Sequence, residues 1–135
     1  EMMLDWRLQI WQDIIFDLGD KNKTLFGYGY NDIIPIMDDS QRRGTDGTNE
    51  NVHNYFFNIL ARGGVFQLIT VLLFMLFMFL EIEDKNKKII FLASTIPLYM
   101  TSFFDASMES VRFPLIFYFG IVLIFKLDSN KSRLM

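Results

Sequence analysis

Three long runs of apolar residues dominate the second half of the chain, over 65–80 (VFQLITVLLFMLFMFL), 89–104 (IIFLASTIPLYMTSFF) and 113–125 (FPLIFYFGIVLIF). Gln67 is the one strongly polar residue in the first run, and short polar stretches separate the three. A helix needs roughly 17 to 25 apolar residues to cross a bilayer, and each run lies near the lower edge of that length. A single run of about 10 to 14 residues would suit a buried core helix, but three in succession predict three spanning helices, at about 64–81, 89–104 and 113–127, followed by a tail over 128–135.

Residues 1–63 are patterned differently. Over 2–18 the spacing predicts an amphipathic helix with Leu4, Leu8, Trp11, Ile15 and Leu18 on one stripe and Asp5, Gln9, Gln12 and Asp13 opposite. Arg7 falls inside the apolar stripe. Gly19 to Lys23 read as a turn, and Phe26-Gly27-Tyr28-Gly29-Tyr30 as a bend that its glycines permit. Residues 38–51 form a polar loop. A second helix is predicted from Asn51, a favourable N-cap residue, through His53 to Arg62, with Gly63-Gly64 breaking or bending it before the first span.

Short cytoplasmic loops collect Lys and Arg, which orients the spans. Lys85, Lys87 and Lys88 lie between the first two runs and Lys126, Lys131 and Arg133 follow the third, so both stretches are expected on the cytoplasmic side. Residues 1–63 and 105–112 then fall on the outer face.

Composition sharpens this picture. The chain is 51% hydrophobic with 15 Phe and 8 Met, more apolar than a soluble domain of its length would carry. A net charge of −3 with scattered basic residues gives no support for nucleic-acid binding. With no Cys there is neither a disulfide scaffold nor a thiolate metal site. The opening Glu1-Met2-Met3 lacks a basic region and a cleavage site, and further sequence is expected upstream.

Few residues carry candidate chemistry. His53 is the one His in the chain, and an imidazole is the natural general base at neutral pH; a lone His is also often structural. Arg7 within an apolar stripe must reach water or pair with an anion, and its planar fork suits phosphate. Arg42, Arg43 and Arg62 add positive charge on the same side. Asp105 and Glu109 lie in the short outer loop, where Glu109 can pair with Arg112. The acids of 38–50 lack EF-hand spacing, no phosphate-loop or nucleophile motif is present, and no metal-ligand cluster is visible.

In order, Arg7-Leu8-Gln9-Ile10-Trp11, then Leu25-Phe26-Gly27-Tyr28-Gly29-Tyr30, then His53-Asn54-Tyr55-Phe56-Phe57, then Arg62-Gly63-Gly64-Val65 resemble the motifs of the O-antigen ligase and O-antigen or capsule polymerase family. The likeness covers roughly the first eighty residues, and the two later spans agree in layout. It implies an all-α integral membrane protein, an outer-face helical loop region followed by three transmembrane helices, at the end of a larger multi-span GT-C-like glycosyltransferase. It also implies a bacterial inner-membrane enzyme without metal or cofactor, whose donor is undecaprenyl-diphosphate-linked oligosaccharide and whose acceptor is a glycan or a lipid. By position, Arg7 would hold the diphosphate and His53 would act as base or orienting group. Asn54, Arg62, Trp11 and Asp105 would line the substrate, Asp105 by its place in the outer loop alone. Polymerase and ligase share these motifs and differ in acceptor. Two other readings stand beside this one: a flippase or other transporter fragment in which Arg7 binds an anion and Pro97 marks a broken helix, and a membrane-anchored structural protein.

Overall fold

The structure, a computed structural model, describes residues 2–39, 42, 52–104 and 112–131, and the regular structure among them is helical. Four helices follow one another: α1 (Met2–Asp20), α2 (Tyr55–Glu81), α3 (Lys85–Ser102) and α4 (Arg112–Lys131), with a short 3-10 helix at Pro35–Asp38 between the first two.

α1 forms where the amphipathic pattern predicts it, but it buries a different face. Ile10, Ile14 and Leu18 are the fully buried residues, whereas Leu8 and Ile15, expected on the inner stripe, are exposed. The reason is what α1 packs on. Ile34 and Met37 of the 3-10 segment, Val52, and Ala61 of α2 close over the Ile10–Ile14–Leu18 row, with Trp6, Trp11 and Tyr28 at its margin. Each such buried aliphatic side chain contributes about 1.5–3 kcal/mol. The row shares Leu18 with the expected stripe and Trp11 flanks it, so the prediction was rotated about the axis rather than misplaced along the chain.

α2 begins one turn later than the sequence suggests. Asn54, not Asn51, is the N-cap: its Oδ1 accepts from the amides of Phe56 at 2.9 Å and Phe57 at 3.1 Å, and its backbone is extended. Asn51 lies outside the described residues.

Within α2 the helix breaks at Gly64, whose φ of 68° and ψ of −170° lie in a region open essentially to glycine. The break is filled by another part of the chain. In an unbroken helix the carbonyls of Ala61 and Arg62 would accept from the amides of Val65 and Phe66. Here the Tyr28 and Gly29 amides donate to Ala61 and Arg62, both at 2.8 Å, while the Val65 and Phe66 amides donate to Thr24 at 2.8 Å and Leu25 at 3.2 Å. The segment 24–29 is thus spliced into the helix ladder, and all four groups freed by the break are satisfied. Contact is too close for side chains: a Cβ on Gly27 would fall 2.5 Å from the Arg62 backbone, and one on Gly64 2.3 Å from the Leu25 backbone.

Asp84 caps α3 through the Asn86 and Lys87 amides, and α3 runs unbroken through Pro97. α2 and α3 pack antiparallel, with Phe79 against Phe91. Counted back from that contact, a straight α2 would set Gln67 opposite Phe103. Instead Phe56 packs on Phe103, with ring centroids 4.8 Å apart, and on Tyr99 at 5.5 Å. The bend at Gly64 therefore turns residues 55–63 across the end of α3. A second core of Met75, Ile82, Phe91, Phe117 and Ile121 joins α2, α3 and α4.

By length and composition α2 can cross a membrane; among the described residues it is the one helix that meets both conditions, and α4 is apolar over the shorter stretch Arg112–Leu123. Large apolar side chains point outward over a broad arc of α2, among them Ile69, Leu72, Leu73, Phe74, Leu76 and Phe77, and the rest of its circumference is apolar too.

Candidate functional site

Arg7, His53, Asn54 and Trp11, four of the residues that the sequence singles out, gather at one corner, where the start of α1, the turn before α2 and the end of α3 come together. The break at Gly64 makes this corner possible, because it brings residues 55–63 back over the α3 terminus. The last carbonyls of a helix have no partner within it and carry partial negative charge. Two predicted site residues bond just past that end: the Asn54 Nδ2 donates to the carbonyl of the C-cap Phe103 and an Arg7 guanidinium nitrogen to that of Phe104, both at 3.0 Å. Asn54 is completely buried and uses its amide in both directions, capping α2 and clasping α3.

Arg7 is half-buried, and a guanidinium has five N–H donors in a planar fork. One bond goes to Phe104. Among the described residues no carboxylate pairs with Arg7, and its positive charge suits the negative end of α3.

His53 precedes the cap with φ at 53°, a left-handed conformation that His tolerates better than most residues and that costs about 1–2 kcal/mol. This turn sets the imidazole against Trp6, the residue before Arg7, with ring centroids 5.8 Å apart and planes inclined at 55°. Strained backbone of this kind recurs at functional sites. Trp11 anchors the same turn from below: its Nε1 donates to the Val52 carbonyl at 3.0 Å, and its ring stacks on Phe57 at 5.1 Å with planes 8° apart. Trp11 thus supports the His53 turn.

The other candidates lie elsewhere. Arg62 sits at the splice, donating to the Asp32 carbonyl at 2.8 Å and lying over the Tyr30 ring at 5.9 Å. Arg42 is held by Asp13 at 2.6 Å. Asp105, Glu109 and Arg43 lie outside the described residues, although Asp105 directly follows Phe104 in the sequence. Among the described residues no group of three His, Asp or Glu side chains is placed to hold a metal ion.

Trp6 and the Phe103 and Phe104 carbonyls were missed by sequence reasoning. Backbone carbonyls carry no sequence signal. Sequence reasoning places the cap at Asn51, although Asn54 is the Asn directly before the apolar Tyr55-Phe56-Phe57. Chemically, the corner brings a guanidinium and an imidazole to the same helix end, the first suited to hold an anion and the second to accept a proton. The chain matches no protein-family model, no curated protein and no solved structure.

Proposed function

We propose that this chain forms the outer-face loop and last membrane spans of a glycosyltransferase of the O-antigen ligase or polymerase type, which moves glycan from undecaprenyl diphosphate to a glycan or lipid acceptor. One observation carries the reading: Arg7 and the His53-Asn54 pair, far apart in sequence, converge at the end of α3. A transfer from a diphosphate-linked sugar needs positive charge where the leaving group gains charge and a base where the acceptor loses its proton. Arg7 supplies the first and His53 the second.

In the reaction, the acceptor hydroxyl attacks the anomeric carbon as the carbon–oxygen bond to the diphosphate breaks. The electron pair leaves with the diphosphate, against Arg7, and the hydroxyl proton passes to His53. A compensated diphosphate leaves readily, so direct displacement with inversion suffices. Asn54 and Trp11 hold the turn that presents His53.

The outward apolar surface of α2 supports a membrane setting, because a helix apolar all round is unstable in water. On this reading α3 and α4 complete the three spans in the bacterial inner membrane, with the Lys-rich turn before α3 in the cytoplasm. A transporter's discontinuous helix offers open backbone groups to its ion. The break in α2 offers none, since 24–29 occupies them, and α3 continues through Pro97.

The test is transfer by the complete parent protein reconstituted with undecaprenyl-diphosphate-linked oligosaccharide and acceptor. Release of undecaprenyl diphosphate with the glycan joined to acceptor is the expected result. Movement of the intact donor across the bilayer without such release contradicts it.

A further inference from the structure

The segment that fills the break in α2 ends in an unpartnered apolar tip. Leu25 and Phe26 are 63% and 71% exposed, and the Phe26 ring lies 6.1 Å from that of Phe66, itself 65% exposed. Phe66 opens the outward apolar surface that continues down α2 through Ile69 and Leu73. The apolar surface is therefore continuous from the helix onto the loop, at the level where the apolar run begins.

Irregular backbone is normally kept out of a membrane boundary because its amides and carbonyls would lose water. Here part of that penalty is removed. The Thr24 and Leu25 carbonyls accept from α2, the Tyr28 and Gly29 amides donate to it, and the Gly27 amide donates to the Lys23 carbonyl at 2.7 Å. The flanks fit the same setting. Lys21 and Lys23 are exposed before the tip in sequence, Lys21 lying over the Tyr28 ring at 5.7 Å, and Tyr30 is exposed after it, residue types that favour headgroups and the interfacial belt. Tyr30 is tied to the helix itself, its hydroxyl accepting from Gln67 Nε2 at 2.5 Å.

We infer that residues 24–30 are an interfacial membrane anchor, in which Leu25 and Phe26 insert into the boundary of headgroups and acyl chains of a phospholipid bilayer beside α2. The inference rests on the proposed reading of α2 as a membrane span. Its consequence is positional. The anchor fixes the Gly64 break at the membrane surface, so residues 55–63 run along that surface and the His53-Asn54 turn stays at headgroup depth, where a lipid-borne diphosphate lies.

The chain has no Cys, so a nitroxide can be placed on single cysteines in the full chain: Phe26→Cys at the tip, Leu72→Cys on the apolar face of α2, and Gln9→Cys on the polar face of α1. Depth is read in vesicles of phosphatidylethanolamine and phosphatidylglycerol from collisions with oxygen and with a water-soluble nickel complex. All three residues are exposed, so the substitutions leave the cores intact. The anchor predicts a Phe26→Cys label several-fold less open to nickel than the Gln9→Cys label, with Leu72→Cys the most shielded. A Phe26→Cys label as open as Gln9→Cys, with Leu72→Cys shielded, overturns the anchor and leaves the span standing. A Leu72→Cys label open to nickel overturns the span, and the anchor with it.

Discussion

The Asn54 side-chain nitrogen donates to the Phe103 carbonyl at 3.0 Å across 49 positions of sequence, while its oxygen caps α2. One buried amide thus fixes the start of one helix against the end of another. Asn54→Ala removes both, and a lost cap plus a lost hydrogen bond amount to about 2 kcal/mol. Asn54→Asp keeps the capping oxygen but sets a buried carboxylate against the Phe103 carbonyl, so it should fall below wild type despite the cap. Thermal unfolding of the three proteins in detergent checks the order; equal midpoints for Ala and wild type would remove Asn54 from the joint.

The splice at Gly64 makes a sharper prediction from three glycines. Gly27 and Gly64 combine positive φ with backbone contacts that a Cβ would violate, whereas Gly29 has φ of 90° and open space around it. Gly27→Ala and Gly64→Ala should each destabilise by about 3 kcal/mol or more, and Gly29→Ala by about 1–2 kcal/mol from strain alone. Limited proteolysis after Lys21 and Lys23 reads the same event, because the first two substitutions release residues 24–29 from α2. Equal resistance of all three variants would mean that the splice does not hold the segment.

The Tyr28 hydroxyl donates to the Asp17 carboxylate, and burial, followed by that bond and the carboxylate's charge, raises its pKa above the ordinary tyrosine value. A group whose folded pKa is raised contributes stability that is complete below its unfolded value near 10 and is lost as pH climbs toward the folded one. Stability should therefore fall above about pH 10, where the unfolded chain releases this proton first. Tyr28→Phe should flatten that alkaline limb, as denaturation at stepped pH will show. An unchanged limb in Tyr28→Phe would assign it to other groups.

Hydrophobic patterning was enough to place α1, α3 and α4 within a few residues, because each run is long and bounded by polar stretches. It did not reveal which face of α1 would be buried. Leu8 and Ile15 are as apolar as Ile10 and Ile14, and the choice is made by Ile34, Met37, Val52 and Ala61, which arrive from elsewhere in the chain. The Gly-rich bend and the Gly63-Gly64 break were both legible as local irregularities. That they are two halves of one joint was not, since the joint is made of backbone hydrogen bonds between segments about forty residues apart. Arg7 and His53 were legible by residue type. Their shared corner depends on the bend in α2 and on two carbonyls just past α3, which no residue type announces.

Arg7 has two roles to separate, a partner for the α3 terminus and a holder of diphosphate. Lys can donate to the Phe104 carbonyl but cannot present a fork to a second acceptor. Arg7→Lys in the complete parent should therefore keep the thermal midpoint while transfer falls about tenfold or more, the scale of one lost charge-assisted hydrogen bond. Unimpaired transfer by Arg7→Lys would leave the arginine with the helix-end role alone.

The most direct test of the central claim is the rate of glycan transfer by the complete parent carrying His53→Ala or His53→Gln, compared with wild type at equal membrane insertion. If His53 accepts the acceptor proton, Ala should lower the rate about 10²-fold or more, and Gln should restore little, because an amide does not take up a proton at neutral pH. A His53→Ala protein that inserts normally and transfers glycan at the wild-type rate would contradict the assignment of this corner as the catalytic site.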